Sequence, residues 1–201
     1  PLHPGDRLDH AVYDRIKSEL QNAAATYGYL DARLTRSELE VDPQKLTATA
    51  ALELQTGPRY RFGATTIDQS VVDVALVRRF IRYHEGDPFD LGELLHTQFA
   101  LDDSQYFASV EVQTGEPDRI NHVVSVSIKA QQGRRDRFQF GGGYGTDTGP
   151  RGTFIWDRRL VNGSGHRFST QLEASTKIQQ LQAQYIGPIG DPALDHFVIG
   201  A

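Results

Sequence analysis

The sequence of 201 residues contains no cysteine and no methionine, and it has a single tryptophan. The absence of cysteine excludes a disulfide scaffold, a thiolate metal site and a cysteine nucleophile. No apolar run reaches the ~18 residues that a membrane-spanning helix needs, and no segment has the pattern of a signal peptide. Apolar residues nevertheless make up 38% of the chain, which is too many for a disordered polypeptide. We therefore expect folded domains without a helical membrane span.

Charge is distributed unevenly along the chain. The net charge at pH 7 is −5, with residues 1–131 acidic and residues 132–201 slightly basic. Residues 1–131 lack a basic face of the size that nucleic-acid binding requires. We expect no nucleic-acid partner, and we expect the last third to be organised differently from the rest.

An internal repeat occupies the first two thirds. Residues 5–9 (Gly-Asp-Arg-Leu-Asp) match residues 86–90 (Gly-Asp-Pro-Phe-Asp) at an offset of 81, and Tyr29-Leu30 matches Tyr106-Phe107 at an offset of 77. The change from 81 to 77 corresponds to about one helical turn. It indicates a helix in each copy, one turn shorter in the second.

Apolar residues at helical spacing support these helices. In the first copy they are Val12, Ile16, Leu20, Ala23 and Tyr27, and in the second they are Leu91, Leu94, Leu95 and Phe99. Asp90 and Glu93 have the spacing of a capping box at the start of the second-copy helix. A further helix is predicted over 71–83, with Ser70 as its N-cap.

Strands follow each repeat helix. Alternation of apolar residues, which buries one face of a sheet, occurs in two runs: Leu46, Ala48, Ala50, Leu52 and Leu54, and then Val124, Val126 and Ile128. Val110 and Val112 mark a strand before the second run, and residues 59–67 form another. Residues 58–131 therefore predict a complete strand–helix–helix–strand–strand domain. Residues 1–57 predict a partial copy with the second helix and the last two strands.

The last third has the period of strands. Apolar or small residues alternate with polar ones in segments separated by turns rich in Gly, Asn, Asp and Pro. One face carries Phe138, Phe140, Gly142, Tyr144, Phe154, Trp156, Phe168, Leu172, Ala174, Leu181, Ala183 and Tyr185. A transmembrane β-barrel predicts this alternation. A water-soluble antiparallel sheet with one packed face predicts it as well.

Two observations favour the barrel. No helix is predicted after residue 132 to cover the aromatic face of a soluble sheet. Four strands cannot close a barrel, since small barrels need about eight. We therefore interpret residues 132–201 as the first four to five strands of an outer-membrane β-barrel, truncated where the chain stops.

Several motifs resemble a known family. The repeat, with its Gly-Asp-Pro-Phe at 86–89, its Tyr106-Phe107 pair and its two closing strands, resembles the POTRA (polypeptide-transport-associated) module. The segments 138–149 (FQFGGGYGTDTG) and 156–166 (WDRRLVNGSGH) resemble the start of the barrel in TamA-like members of the BamA/TamA outer-membrane assembly superfamily. The resemblance covers almost the whole chain. It implies an α+β chain of tandem POTRA domains in the periplasm, followed by a barrel in the bacterial outer membrane.

The resemblance also implies partners and a seam. The implied partners are outer-membrane protein clients, an inner-membrane-anchored partner of the TamB type and membrane lipid. The first barrel strand, at about 137–146, is implied to be one side of a lateral seam. The predicted seam residues are Phe138, Phe140, Gly142 and Tyr144, and the residues predicted to face lipid are Phe154 and Trp156. Gly141, Gly142, Gly143 and Gly145 weaken packing and let this strand bend or detach, or they ease barrel curvature.

Exposed sheet edges are the expected binding feature of the POTRA repeat. An edge strand offers unpaired N–H and C=O groups, to which an extended peptide can add as another strand. The family topology places edges at about 33–41 and 107–113, and we predict a peptide site at Val110, Glu111 and Val112. The alternative is an edge that is merely kept soluble by its charges, Arg33, Arg36, Glu38, Glu40 and Glu111.

No catalytic residue, cofactor site or metal site is predicted. Asp147-Thr148-Gly149 matches the aspartic-protease triplet, but it lacks a second copy and apolar flanks, and a turn explains it better. The 7 histidines are scattered without metal-ligand spacing, and no serine stands in a nucleophile elbow. We expect a protein that is not an enzyme.

Three functions fit the sequence. The leading one is an assembly factor that inserts outer-membrane proteins. The alternatives are a soluble periplasmic POTRA scaffold that docks a partner, and a POTRA–barrel exporter of the two-partner type. A lipid-facing aromatic face distinguishes the first from the second, and the client distinguishes the third. The open strands of residues 132–201 are expected to pair with another copy of the chain or to be poorly ordered.

Overall fold

The computed structural model describes residues 5, 7, 9–146 and 149–201. The helices are α1 (His10–Thr26), α2 (Val74–Arg78) and α3 (Leu91–Asp103). The strands are β1 (Arg33–Asp42), β2 (Thr47–Gln55), β3 (Arg61–Asp68), β4 (Phe107–Thr114), β5 (Val123–Gln132), β6 (Asp136–Gly145), β7 (Gly149–Arg158), β8 (Arg167–Ser175), β9 (Gln179–Pro188) and β10 (His196–Gly200).

The strands form three sheets. β1 and β2 make an antiparallel pair, and β3, β5 and β4 make a three-stranded sheet in that order. β6 to β10 make a five-stranded antiparallel meander whose strand order follows the sequence. The order β3, α2, α3, β4, β5 is the predicted strand–helix–helix–strand–strand. The α+β class with a terminal antiparallel meander is confirmed.

The chain divides into two compact units. The first consists of Pro1–Ala64, Tyr83–Glu93 and Thr114–Val126. The second consists of Thr65–Arg82, Leu94–Gln113 and Ser127–Ala201, and so it contains the whole meander. The domain boundaries drawn from the sequence, at 57/58 and 131/132, stay predictions.

In the first unit, the predicted buried face of α1 is wrong by one position. Tyr13 and Ala24 are the buried residues of this helix. Three members of the predicted row are exposed instead: Leu20, Ala23 and Tyr27. The Lys17 ammonium lies 4.8 Å from the centre of the Tyr13 ring. The buried row thus lies one position after the apolar row of the sequence, and it includes the stem of Lys17 beside Tyr13.

The β1–β2 hairpin leaves most of its predicted apolar face in solvent. Leu52 and Leu54 are half-buried, whereas Ala48 and Ala50 are exposed. Leu46 is 90% exposed and belongs to the turn, where its φ is 54°. A hairpin needs a covering layer to bury a face, and such cover reaches only the end of β2 that carries the two half-buried leucines.

Aromatic rings form the core of the first unit. Phe62 is 1% exposed, its ring centre lies 3.9 Å from that of Tyr83, and it lies 5.0 Å from that of Phe89. The fully buried Tyr60 donates its hydroxyl to Asp31 at 2.8 Å. The Gly-Asp-Pro-Phe motif therefore supplies a core residue, Phe89, and its role here is structural.

Two local predictions are confirmed around α3 and β5. Asp90 caps α3, because its Oδ1 accepts a hydrogen bond from the Gly92 N–H at 2.8 Å, whereas the Glu93 half of the capping box stays a prediction. In β5, the alternating Val124, Val126 and Ile128 are 1%, 2% and 0% exposed. One face of the three-stranded sheet is buried as the alternation predicts.

The helix predicted over 71–83 is much shorter in the structure. α2 has 5 residues, and its N-cap is Asp73 rather than Ser70. The side-chain oxygen of Gln69 accepts the Val71 N–H at 2.7 Å, which holds a turn where the helix was predicted. Most apolar residues of this stretch are nevertheless buried, with Val74 exposed at 43%, so the pattern predicted burial better than backbone conformation.

The predicted buried face of α3 is also wrong. Of its members, only Leu94 is buried; the exposed ones are Leu91, Leu95 and Phe99. The row that packs inward contains Leu94, Thr97 and Leu101. The Thr97 hydroxyl accepts the Arg82 N–H at 3.1 Å. A satisfied hydroxyl thus occupies a core position that the sequence pattern assigns to apolar residues only.

Candidate functional site

The meander carries an apolar row across four of its strands. The register aligns Phe140 of β6, Phe154 of β7, Leu172 of β8 and Leu181 of β9. Directly opposite residues of antiparallel strands share a face, so these side chains form one continuous band. Phe140 is 80% exposed and Leu181 is 66% exposed. No helix of the described residues lies in the chain after β6 to cover this face.

The other face of the same strands is polar. Beside the apolar row, the register aligns Gln139, Ile155, Gln171 and Gln182, of which all but Ile155 are polar. A second polar row aligns Arg137, Asp157, Ser169 and Gln184. The Ser169 hydroxyl donates to Asp157 Oδ1 at 2.6 Å. The meander therefore separates an apolar face from a hydrogen-bonding face, as a sheet between lipid and an aqueous interior would.

Phe154 and Trp156 lie on the apolar face. Both are half-buried between neighbouring rings: Phe154 lies 5.1 Å from Phe140, and Trp156 lies 6.3 Å from Phe138, centre to centre. The Trp156 indole N–H donates to Asp136 Oδ1 at 3.0 Å. An aromatic ring with a satisfied polar tip at a strand end is typical of a membrane interface. Lipid contact of the two residues stays a prediction.

The predicted seam strand, β6, is an edge of the meander, and β10 is the other. Phe138, Phe140 and Tyr144 are exposed. A Cβ added at Gly142 would meet nothing within 4 Å. The sequence-predicted seam residues thus line an edge with unpaired backbone groups on one side, which is the chemical requirement for adding a strand.

The three residues of the predicted peptide site on β4 differ in their exposure to solvent. β4 is an edge of its three-stranded sheet, but Val110 is 7% exposed and belongs to the core. Glu111 is exposed and accepts a hydrogen bond from the Gln113 amide at 2.6 Å, and Val112 is half-buried. The side chains of Glu111 and Val112 are therefore the accessible ones, and peptide binding here stays a prediction.

Two arginines of the second unit bind the turn between β9 and β10. Arg82 pairs with both carboxylate oxygens of Asp191, at 2.5 and 3.1 Å. Arg79 donates twice to the carbonyl of Gly190, at 3.0 and 2.7 Å. We call these four residues the arginine anchor. Nothing in the sequence pointed to it, because the paired residues are 109 positions apart.

A second contact, the tyrosine anchor, holds the turn between β7 and β8. The buried hydroxyl of Tyr106 donates to the carbonyl of Gly165 at 2.8 Å. The Asp73 N–H donates to the carbonyl of Gly163 at 2.9 Å. Burial raises the pKa of Tyr106, so the phenol stays a donor. The repeat had singled out Tyr106, but its partner turn could not be read from the sequence.

The arginine anchor predicts a pH dependence. The hydrogen bond from Arg82 holds the pKa of Asp191 below its ordinary value of 3.8. The ionised carboxylate is therefore stabilised in the folded chain. Its contribution to stability is complete above the unfolded pKa and is lost as the pH falls through the lowered folded pKa.

Unfolding of the wild type and of Asp191→Asn at about pH 5 and about pH 3 measures this effect. We expect the wild type to be the more stable of the two at the higher pH and the difference to shrink at the lower one. Asp195→Asn, which removes another carboxylate of the same turn, serves as the control. A difference independent of pH would contradict the assignment.

No other chemical centre emerges from the described part of the chain. In residues 5, 7, 9–146 and 149–201, no group of three or more His, Asp or Glu side chains could hold a metal ion. Over the same residues, no helix is long and apolar enough to span a membrane. Asp147 and Thr148 of the protease-like triplet, and the Asp6 and Leu8 positions of the repeat, lie outside the described residues.

Comparison with known proteins gives a fold. No family model matches the chain. It is similar to BamA from Haemophilus ducreyi lacking POTRA domains 1–3, with a TM-score of 0.74 and 16% identity over 93% of this chain and 35% of that one. It is similar to CdiB from Acinetobacter baumannii, with a TM-score of 0.55 and 17% identity over 88% of this chain and 33% of that one. It is also similar to CdiB from Escherichia coli, with a TM-score of 0.56 and 11% identity over 91% of this chain and 34% of that one.

These likenesses define the class of fold. The chain has POTRA architecture followed by the first strands of a barrel of the BamA and CdiB type. It spans about a third of the length of the structures it matches. The structures it resembles are BamA and CdiB, and the TamA-like assignment made from the sequence stays a prediction.

Proposed function

We propose that this chain takes part in the assembly or secretion of outer-membrane proteins and is not an enzyme. The meander sits in the bacterial outer membrane with its apolar face toward lipid, and the POTRA part lies in the periplasm. The observation that carries the proposal is the open edge strand β6 beside a broad, exposed apolar face. Backbone pairing at such an edge is largely independent of client sequence, which suits the handling of many clients.

The apolar face argues against the soluble-scaffold alternative. A soluble protein rarely exposes an apolar patch as extensive as the band from β6 to β9. Phe140, Tyr144 and Leu181 are 80%, 78% and 66% exposed. Lipid removes all three from water at once, whereas a scaffold would need a protein partner of matching area.

The exporter is the second candidate function. The fold likeness to the two CdiB structures, over 88% and 91% of this chain, favours it. The TamA-type function, with an inner-membrane-anchored partner of the TamB type, rests on the resemblance of segments 138–149 and 156–166. Both candidates use β6 as the edge, and they differ in the client that pairs with it.

Disulfide trapping tests the proposed edge. Because the chain has no cysteine, Gly142→Cys on β6 introduces a single thiol, and an added Cβ meets nothing within 4 Å. Gly152→Cys is the matched control, since Gly152 pairs with Gly142 but lies on β7, which has neighbours on both sides. Each variant is placed in lipid vesicles with an unfolded outer-membrane client that carries one cysteine in its terminal strand.

We expect the client to crosslink to the β6 thiol and much less to the β7 thiol, because opposite residues of paired strands bring their Cβ atoms within disulfide range. Equal trapping of both thiols would indicate collision without strand pairing and would contradict the proposed function. Trapping of secreted proteins but not of barrel proteins would favour the exporter.

A further inference from the structure

A cavity of about 280 Å³ lies at the end of the meander where β6 begins, within the second unit. Four arginines line it: Arg137, Arg158, Arg159 and Arg167. The lining contains one carboxylate, Asp157. The cavity therefore has a local excess of positive charge in a chain whose net charge is −5.

Two of these guanidinium groups have an Nε atom without an acceptor. The Nε atoms of Arg158 and Arg167 are buried and, within the described residues, form no hydrogen bond. A buried donor without an acceptor is costly and rare in folded proteins. Each of these arginines thus keeps one donor without an acceptor beside the cavity.

The single carboxylate does not neutralise the site. Asp157 already accepts the Ser169 hydroxyl at 2.6 Å. The Arg137 guanidinium is used differently: with the Gln139 amide turned so that both partners are satisfied, Nε and Nη2 each donate to its oxygen at 2.8 Å. Arg158 and Arg167 are the lining arginines with an unsatisfied Nε, and a ligand with acceptor oxygens would supply the missing acceptor.

The shape of the cavity favours a segment of polypeptide over a bare ion. Its size approaches that of small-molecule sites, which begin at about 300 Å³. Ile186 and Phe168 add apolar wall, and Gln184 adds an amide beside the arginines. Carboxylates match the planar fork of arginine in two parallel hydrogen bonds, and apolar wall accommodates the methylene groups that carry them.

We propose that this cavity binds an acidic segment of polypeptide, with a glutamate or aspartate carboxylate on Arg158 and Arg167. The inference goes beyond the proposed function, because most of the strand residues that line the cavity lie on the polar face of the meander, and strand addition at the β6 edge does not require the cavity. Binding in the cavity would select clients by their negative charge, whereas backbone pairing at the β6 edge does not distinguish clients by charge.

Binding of fluorescein-labelled hexaglutamate to the full chain in zwitterionic detergent tests the proposal by fluorescence anisotropy. We expect Arg158→Gln and Arg167→Gln each to raise the Kd roughly tenfold or more, as the loss of a charged hydrogen bond does. Arg151→Gln is the matched control: it removes the same charge from the exposed opposite end of β7 and is expected to leave the Kd within about twofold. Thermal unfolding of each variant verifies that it folds.

Three results would overturn the proposal. The first is an equal loss of affinity in all three variants, which would mean that only net charge matters. The second is no binding of hexaglutamate to the wild type at low salt. The third is inorganic phosphate competing as well as the peptide does, because the cavity would then be a general oxyanion site.

Discussion

Leu172→Arg is expected to destabilise the meander in a bilayer by about 2–4 kcal/mol, the cost of an arginine on the lipid face near the midplane. Leu172 lies near the middle of β8 and belongs to the apolar row that crosses four strands. A guanidinium there must leave water or draw water into the membrane. Gln171→Arg, one residue earlier and on the polar face, makes the same addition of charge and is expected to cost less than about 1 kcal/mol.

Denaturant unfolding in lipid vesicles, followed by the fluorescence of the single tryptophan, measures both variants. The two variants differ only in the face of the sheet, because both introduce an arginine at neighbouring positions of the same strand and at nearly the same depth. Equal costs for the two would mean that the apolar face does not meet lipid. A larger cost for Gln171→Arg would mean that the assignment of faces is reversed.

Gly165→Ala is expected to cost about 2–5 kcal/mol of stability. Gly165 has a φ of 81°, and a Cβ there would lie 2.6 Å from Leu76 Cδ2 and 2.6 Å from the Tyr106 hydroxyl. A residue with a Cβ pays for the left-handed conformation, and the contacts force the β7–β8 turn away from Tyr106. The tyrosine anchor should therefore open.

Gly142→Ala is the control for this substitution. It introduces the same methyl group where nothing lies within 4 Å, and we expect a change within about 1 kcal/mol. Unfolding in detergent gives the stability, and amide hydrogen exchange in the β7–β8 turn reports the anchor itself. Unchanged exchange in the turn of Gly165→Ala would contradict the anchor's role in holding it.

The sequence predicted the elements whose pattern is set by local geometry. The alternation in β5 and in the meander was readable because one face of each strand is apolar, whether its cover is protein or lipid. The cap of α3 could be predicted because the Asp90 side chain binds the N–H of a residue only two positions later. The apolar spacing did not identify the inward-facing rows of the helices, because each row contains a polar side chain: Lys17 on α1 and Thr97 on α3.

The contacts between distant segments could not be predicted. Arg82 and Asp191 are ordinary surface-type residues in sequence, and only the fold brings them together. The cavity arginines whose Nε atoms lack an acceptor come from β7 and β8, and no sequence motif marks them. The edge position of β6 was predicted through family resemblance, whereas the packing of Val110 into the core depends on the sheet it joins.

The most direct test of the central claim uses Trp156, the single tryptophan, which lies on the apolar face. In vesicles that contain lipids brominated on their acyl chains, we expect its fluorescence to be strongly quenched, and aqueous iodide to quench it little. The double variant Trp156→Phe, Ile155→Trp moves the reporter to the polar face and should lose the lipid quenching. Strong iodide quenching of Trp156 without quenching by brominated lipid would contradict the account, because the apolar face would then not lie in a membrane.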